Sequence, residues 1–496
     1  MMRLSEAAAA LNGAASGEDR EFAGVTTDSR AIAVGDLFVA LRGEHFDGHD
    51  YVVQAIAQGA AGVLVDRVDP AWGDIPLLRV EDARLALGAL AAHWRARFSI
   101  PVVGLTGSSG KTTVKEMIAA VLRAEVGEAD AVLATQGNLN NDIGLPLTLL
   151  KLRDTHRYAV IEMGMNHPGE IAYLTRIARP DVALVINAQA AHLAGFPLPN
   201  PLPAPARGVP AGFPLLRSDH GETGEGANVK GAGFDPVEQV AHAKGEIFQG
   251  LAADGTAVIN ADDPHAALWQ DSAAGRRIVR FGLERPAEVS GTFRLQPFGS
   301  DIEVSTPQGR FAVALPVPGE HNVRNALAAA AVATALGIGH GAIAKGLAQV
   351  AAVKGRLRKL AGLHGATLID DTYNANPGSV RAAIAVLAAM PGRKVLVLGD
   401  MGELGDAARA LHAEVGAAAK TAGIDQLFAL GELSAAAAEA FGAGGRHFEY
   451  IEDLLHDVEN LLAPEVTVLV KGSRFMRMER VVKSFEAQGD STCCSH

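Results

Sequence analysis

Residues Pro101–Thr113 read PVVGLTGSSGKTT. A short apolar run passes through glycines and serines into Lys-Thr-Thr, and an amphipathic segment follows. That order predicts a buried strand, a tight loop and a helix N-terminus. Backbone N–H groups of such a loop, the helix dipole and one lysine together bind polyphosphate. Strict phosphate-loop spacing would place glycine at position 105, where this chain has Leu105; what is present is the shorter Gly107-x-x-Gly110-Lys111-Thr112. Between a strand and a helix, this form favours nucleotide binding over a plain turn. Thr106, Gly107, Ser108, Ser109, Gly110, Lys111, Thr112 and Thr113 are the expected phosphate-binding residues.

Outward from the loop, apolar strands alternate with helices between Ile100 and about Val353: Val102–Leu105, Ala159–Ile161, Val182–Ile186 and Ala257–Ile259. This alternation predicts a doubly wound parallel sheet, whose ligands sit at the carboxyl ends of strands. Glu162 and the stretch Asn187–His192 fall at such ends. A third region begins near Lys354 and alternates again, at Thr367–Ile369, Lys394–Leu398, Gln426–Leu430 and Val466–Val470. It reads as a second, smaller α/β unit with helices near Ser379–Ala389 and Ala407–Ala422. The first 98 residues mix short strands, such as Leu37–Leu41, with polar turns at Asp28-Ser29-Arg30, Gly35-Asp36 and Gly43–His49. The expected division is therefore 1–98, 99–353 and 354–496, three α/β domains around a central phosphate-loop sheet, in keeping with a 496-residue chain.

One stretch interrupts this pattern. Seven of the 23 prolines fall between Pro197 and Pro214, too many for a helix or central strand. Glycine-rich polar sequence follows to Phe234, and Ala-Gly-Phe occurs at both 194–196 and 232–234. Residues 197–234 read as an insertion forming a disordered or extended surface loop, with a functional lid as the alternative.

The net charge of −12 and the lack of a basic run argue against non-specific nucleic-acid binding. Small anionic ligands need only a local cationic pocket and stay open. No apolar stretch is long enough to span a bilayer, and the N-terminus lacks a signal-peptide pattern. The two cysteines, Cys493 and Cys494, are adjacent in a terminal tail and cannot staple a core, so a reducing cytoplasm is expected.

Eleven motifs occur in order: TDSR…GDLFVAL, TGSSGKTT, TQGNLNNDIGLP, IEMGMNHPGEI, NAQAAHL, AKGEIF, GEHNVRNALAA, GRL, DDTYNANPGS, LGDMGELG and KGSRFMRME. Together they resemble the Mur ligases, ATP-dependent amide-forming enzymes of bacterial cell-wall precursor synthesis. The resemblance covers the chain apart from the insertion and the last few residues. It implies a three-domain fold: an N-terminal domain for the UDP-linked acceptor, a central ATPase domain, and a C-terminal Rossmann-like domain for the incoming amine.

The resemblance also assigns residues. Lys111 is expected at the β/γ-phosphates, with Thr112, Glu162 and His192 on Mg²⁺, two ions in all. Lys244 matches the lysine that the family carbamylates, and Lys111, Glu162, His192 and Lys244 form the expected catalytic set. Asn322 and Asn325 match the adenine-contacting pattern, Arg356 the arginine that reaches ATP on domain closure, and Asp371 the ribose-binding aspartate. Ser29 and Arg30 resemble the UDP-binding turn. Thr135, Asn138, Asn140 and Asn141 are expected along the peptide acceptor. Tyr373, Asn374 and Asn376 of TYNANPGS resemble the branch that adds D-alanyl-D-alanine to UDP-MurNAc-tripeptide, and Lys471–Val481 is expected to face the same cleft. A monomer without nucleic-acid or membrane partners is implied. Other amide ligases of the superfamily, and a non-catalytic nucleotide-binding scaffold, are the alternatives. Removing Pro197–Phe234 joins AHLAGF to DPVEQVAHAKGEIF, bringing His192 and Lys244 to the family's uninterrupted reading.

Overall fold

The computed structural model describes residues 1–190 and 236–487. His192, the insertion 197–234 and the two cysteines lie outside the described residues. Near the N-terminus, β1 (Ala14–Ser16), β2 (Gly24–Thr26), β3 (Asp36–Val39), β4 (Gly62–Val65) and β5 (Leu77–Arg79) form a sheet in the order β1-β5-β4-β3-β2. Helix α1 (Ala83–Arg95) follows, its N-terminus capped by Asp82, which accepts from the N–H groups of Arg84 and Leu85. Its apolar face, including Leu87, Leu90 and Trp94, shares one core with Tyr173 and Ile177 of the next domain. Trp94 Nε1 donates to Leu152 O at 3.1 Å and Arg95 Nε to Ala178 O at 3.1 Å. The N-terminal unit is thus seated on the central one by a continuous apolar layer, with the Trp94 indole and the Arg95 guanidinium hydrogen-bonded across it.

The central sheet contains β6 (Val102–Thr106), β7 (Val132–Ala134), β8 (Tyr158–Glu162), β9 (Val182–Val185), β10 (Thr256–Asn260) and β11 (Arg277–Phe281). They are parallel, in the order β11-β10-β9-β6-β8-β7. Burial on both faces accounts for their nearly unbroken apolar sequences. Helix α2 (Lys111–Val126) and the alanine-rich helix α3 (Glu320–Ala335) cover one face. Alanine is the best helix former and its small side chain permits close packing, so this alanine-rich run forms an interior helix.

One element departs from the expected alternation. Residues 290–315 form an antiparallel three-stranded sheet, β12 (Ser290–Gln296), β13 (Gly299–Thr306) and β14 (Gly309–Leu315). Its inner residues Ile302, Val304 and Val313 pack into the core beneath α3. The period-two pattern of DIEVST and RFAVAL, separated by Pro-Gln-Gly, is the local signal for it.

The C-terminal sheet comprises β15 (Arg358–Ala361), β16 (Thr367–Asp371), β17 (Arg393–Gly399), β18 (Gln426–Leu430), β19 (Gly445–Phe448) and β20 (Val466–Lys471), in the order β15-β16-β20-β17-β18-β19. Only edge strand β15 is antiparallel in this sheet. The carboxyl ends of β16 and β20 face the phosphate loop across a cleft, and helix α4 (Pro377–Ala388) starts there. No helix among the described residues is long and apolar enough to cross a membrane.

Candidate nucleotide and ligation site

A cavity of about 1720 Å³ is lined by all three units: Arg84 from the first, the phosphate loop from the second, and Arg356, Tyr373 and Lys471 from the third. Its floor is the β6–α2 turn. Gly110 has φ +83°, a conformation that favours glycine, and a Cβ there would lie 2.8 Å from Asn325 Oδ1 and press that side chain aside. The opening N–H groups of α2 have no helical acceptor and face an incoming anion. Asn187 fixes the turn from the end of β9: its Oδ1 accepts from the N–H groups of Ser108 (3.0 Å) and Ser109 (2.9 Å). Ser109 Oγ donates to Gln189 Oε1 at 2.9 Å. Lys111 Nζ folds back onto Gly107 O at 2.7 Å. Burial pushes its ammonium below the ordinary lysine value, and the Glu162 carboxylate opposes that shift. Thr106 is buried beneath the loop, and neither it nor Gly107 is among the lining residues, whereas Ser108 to Thr113 all are.

Glu162 ends β8 with its side chain at the cavity. Oε1 accepts from Asn140 Nδ2 at 2.8 Å, and its N–H donates to Thr135 Oγ1 at 3.0 Å. Its Oε2 is buried without a hydrogen-bond partner among the described residues. An orphaned buried carboxylate oxygen beside a phosphate loop is what a hard cation would satisfy. Asn138, Asn140 and Asn141 line the same wall, and Asn141 Oδ1 also accepts from Gly144 N at 2.8 Å. Thr135, expected on the acceptor path, does not line the cavity. It is buried behind Glu162 and receives Lys115 Nζ on its carbonyl at 2.6 Å, which makes it a brace.

Lys244 is 1% exposed, at the end of helix Pro236–Gly245, and is likewise not among the lining residues. Burial, reinforced by the charge of Lys111, drives its amine well below the ordinary lysine value. That shift favours the neutral amine, the form that can add CO₂.

Asn322 and Asn325 are buried on α3 and line the cavity, joined by Asn325 Nδ2 donating to Asn322 Oδ1 at 3.1 Å. The third unit closes the opposite wall. Arg356 donates to Thr112 Oγ1 at 3.3 Å and its guanidinium lies 4.4 Å from the Tyr373 ring centroid. Asp371 is buried, paired with Lys471 at 2.5 Å. Asn376 caps α4, and its Nδ2 donates to Ser109 Oγ at 3.1 Å, while Asn374 lines the cavity next to it.

Ser29 and Arg30 are not brought to this cavity. The Arg30 side chain is exposed and forms a two-point pair with Asp28, at 2.9 Å for each bond. Several cavity residues had no individual expectation from sequence. Arg84 pairs with Asp142 at the rim between the first two units. Arg324 bonds Glu284 and Glu320, both at 2.7 Å, and also pairs with Asp262. His321 is held at a pKa of about 4 by burial and by the charge of Lys471. The position of Asp262 just beyond the end of β10 was the available signal; the other contacts depend on distant segments.

The Mur ligase middle-domain profile matches residues 105–198 and 232–333, leaving 199–231 unmatched. The Mur ligase, glutamate ligase domain profile matches 355–474, and that of the Mur ligase family, catalytic domain, matches 21–95. The chain is 44% identical to the UDP-N-acetylmuramoyl-tripeptide–D-alanyl-D-alanine ligase of Escherichia coli over 99% of both chains. It is 35% identical to that of Bacillus subtilis over 93% of this chain and 92% of the relative. The Acinetobacter baumannii MurF structure superposes with a TM-score of 0.84 at 36% identity, covering 97% of this chain and 98% of that one. MurF from Thermotoga maritima in complex with ADP gives 0.75 at 26% identity, covering 93% and 96%.

Proposed function

The chain belongs to the Mur ligase family, and from that premise we propose that it joins D-alanyl-D-alanine to UDP-N-acetylmuramoyl-tripeptide, with ATP as the activating reagent. A carboxylate is a poor electrophile because attack must expel oxide from a resonance-stabilised anion. Transfer of the γ-phosphoryl group to the acceptor's terminal carboxylate gives an acyl phosphate and ADP. The dipeptide amine then attacks the acyl carbon, phosphate leaves, and the amine loses a proton.

This chemistry needs positioning and charge neutralisation more than covalent help from the protein. Lys111 and the α2 N-terminus hold the phosphates on one side, and Arg356 closes on them from the other. Asn322 and Asn325 take the adenine and Asp371 the ribose. Asn138, Asn140 and Asn141 border the acceptor. Tyr373, Asn374 and Asn376 border the dipeptide, and Ser29 and Arg30 bind the distant UDP end. Thr112, Glu162, His192 and Lys244 are the residues that would hold Mg²⁺, two ions in all. When bound, Mg²⁺ neutralises phosphate charge. The orphaned Glu162 Oε2 supports a cation there. Carbamylation would turn Lys244 from a buried base into an anion suited to the same metals. The protein acts in the cytoplasm as a monomer.

The observation that carries this reading is the contact between two motifs of different domains. Asn376, in the segment that distinguishes the dipeptide-adding branch, donates to Ser109 of the phosphate loop. That contact supports a single cavity for amine donor and phosphate donor. Incubating the protein with ATP, Mg²⁺, UDP-MurNAc-tripeptide and D-Ala-D-Ala should yield UDP-MurNAc-pentapeptide and phosphate in equal amounts. ATP binding without pentapeptide at any substrate level would instead favour a scaffold.

A further inference from the structure

Lys471 ends β20 and is 3% exposed, yet it lies at the cavity wall. Its Nζ donates to Asp371 Oδ2 at 2.5 Å and to the carbonyl of Asn374 at 3.0 Å. The first partner belongs to the nucleotide half of the site and the second to the amine half. We propose that Lys471 is a positioning residue that couples the two halves, setting the nucleotide-facing linker and the dipeptide-facing loop from a single ammonium group. The proposal rests on the reading of Asp371 as a nucleotide contact.

Each arm continues into the chemistry. Asp371 Oδ1 accepts from the N–H of Leu357 at 3.2 Å. Leu357 has φ +48° and follows Gly355, at φ +73°, with Arg356 between them. Left-handed backbone at leucine is disfavoured and persists when surrounding contacts hold it. The Asp371 bond is such a contact, and it fixes the linker from which Arg356 reaches Thr112. On the other arm, Asn374 precedes Ala375 and Asn376. Ala375 O accepts from Ser473 Oγ at 3.2 Å, and Asn376 reaches Ser109. Lys471 and Ser473 thus brace the whole Asp371–Asn376 segment from one loop.

The charge on Lys471 also has a task. Burial pushes the Asp371 carboxyl above the usual aspartate value, opposed first by Lys471 and then by Arg356. The charged and titratable groups facing this pair are Arg356 from the linker and His321 of α3, which is neutral at physiological pH, whereas Asp370 on the same strand turns to the opposite face and accepts from Gly355 N and Thr372. Removing Lys471 takes away the principal counter-charge, so Asp371 becomes protonated as pH falls through a further raised value. An ion pair that only cements the fold would lower the melting temperature without giving nucleotide binding a new pH dependence.

The test measures KM for ATP and for the dipeptide in K471M, K471R, D371N and the K471M/D371N double variant. In K471M both KM values should rise, and KM for ATP should climb more steeply with falling pH than it does in the wild type. The double variant, with no carboxyl to titrate, should bind weakly but lose that slope, and K471R should retain a wild-type profile. If K471M fails to fold, a new ATP slope in K471Q, absent from K471R, makes the same case. A K471M profile parallel to wild type, while D371N still weakens ATP, overturns the coupling role alone. Unchanged ATP affinity in D371N overturns the nucleotide-contact reading beneath it.

Discussion

The Arg356 guanidinium donates to the Thr112 hydroxyl across 244 residues of sequence, at 3.3 Å. Arg356 belongs to the linker entering the C-terminal sheet and Thr112 to the first turn of the phosphate-loop helix. Its Nε is buried without a hydrogen-bond partner among the described residues, which leaves a donor for an anion. Arg356→Ala should lower kcat/KM for ATP about a hundredfold, and Arg356→Lys should recover little of it. Lysine lacks the planar fork and the stacking on Tyr373. Steady-state phosphate release at varied ATP checks both variants.

Glu162→Gln keeps the shape of the side chain and removes its charge. Activity should fall at least a hundredfold, about 3 kcal/mol of transition-state stabilisation, and half-maximal rate should require more Mg²⁺. Thermal stability should change little, since Oε2 has no hydrogen-bond partner to lose among the described residues. Titration of rate against Mg²⁺ together with a melting curve separates this from misfolding.

Lys244 ties pH, stability and CO₂ together. Its folded-state value lies well below the unfolded one, so the unmodified native state binds fewer protons than the unfolded chain over the intervening range. The stability cost of burying this amine is therefore full below the folded value and disappears as pH rises towards the unfolded one. In CO₂-free buffer at neutral pH, Lys244→Met should raise the melting temperature by about 2–4 °C while abolishing ligation. In the wild type, bicarbonate should restore activity lost on CO₂ removal, and in Lys244→Met it should not. Calorimetry and a bicarbonate titration test the two halves.

Asn376 has two separable tasks. Its side chain accepts from Ser379 N at 2.8 Å as the helix cap, and its amide donates to Ser109. Asn376→Ala should lose both, costing about 1 kcal/mol of stability and raising KM. Asn376→Ser should keep the cap and lose the reach, so that stability recovers and KM does not. Urea unfolding alongside kinetics distinguishes them.

Deleting residues 197–234 should leave kcat within about threefold of wild type, because added loop length carries little entropic cost once the ends are joined. The family profile breaks over nearly the same stretch, 199–231. A large gain would mark the insertion as harmful and a large loss as functional. Both are read from the same ligation assay.

The parts of this fold that could be read from the chain are those whose cause is local. The β6 strand, the Gly110 turn and α2 lie within 26 consecutive residues, from 101 to 126, and each follows from patterning or from the needs of one backbone position. The strand-end location of Glu162 was readable for the same reason. Thr135 turns inward to the Glu162 N–H and not to the cavity, because sequence adjacency to Asn138 and Asn140 does not show which side of a strand end a side chain takes. The antiparallel sheet of residues 290–315 was hidden inside a region assigned to one alternating pattern. Lys471–Asp371, 100 residues apart, and Arg84–Asp142, 58 apart, arise only when domains meet, and no period or spacing encodes them.

Amine selectivity tests the central claim most directly. Phosphate release is measured with ATP, Mg²⁺ and UDP-MurNAc-tripeptide while D-Ala-D-Ala is compared with diaminopimelate, lysine and glutamate. Release that depends on the dipeptide, with a product heavier than the tripeptide nucleotide by D-Ala-D-Ala less one water, is the predicted result. Equal release with a single amino acid, or release that ignores the dipeptide, would contradict it.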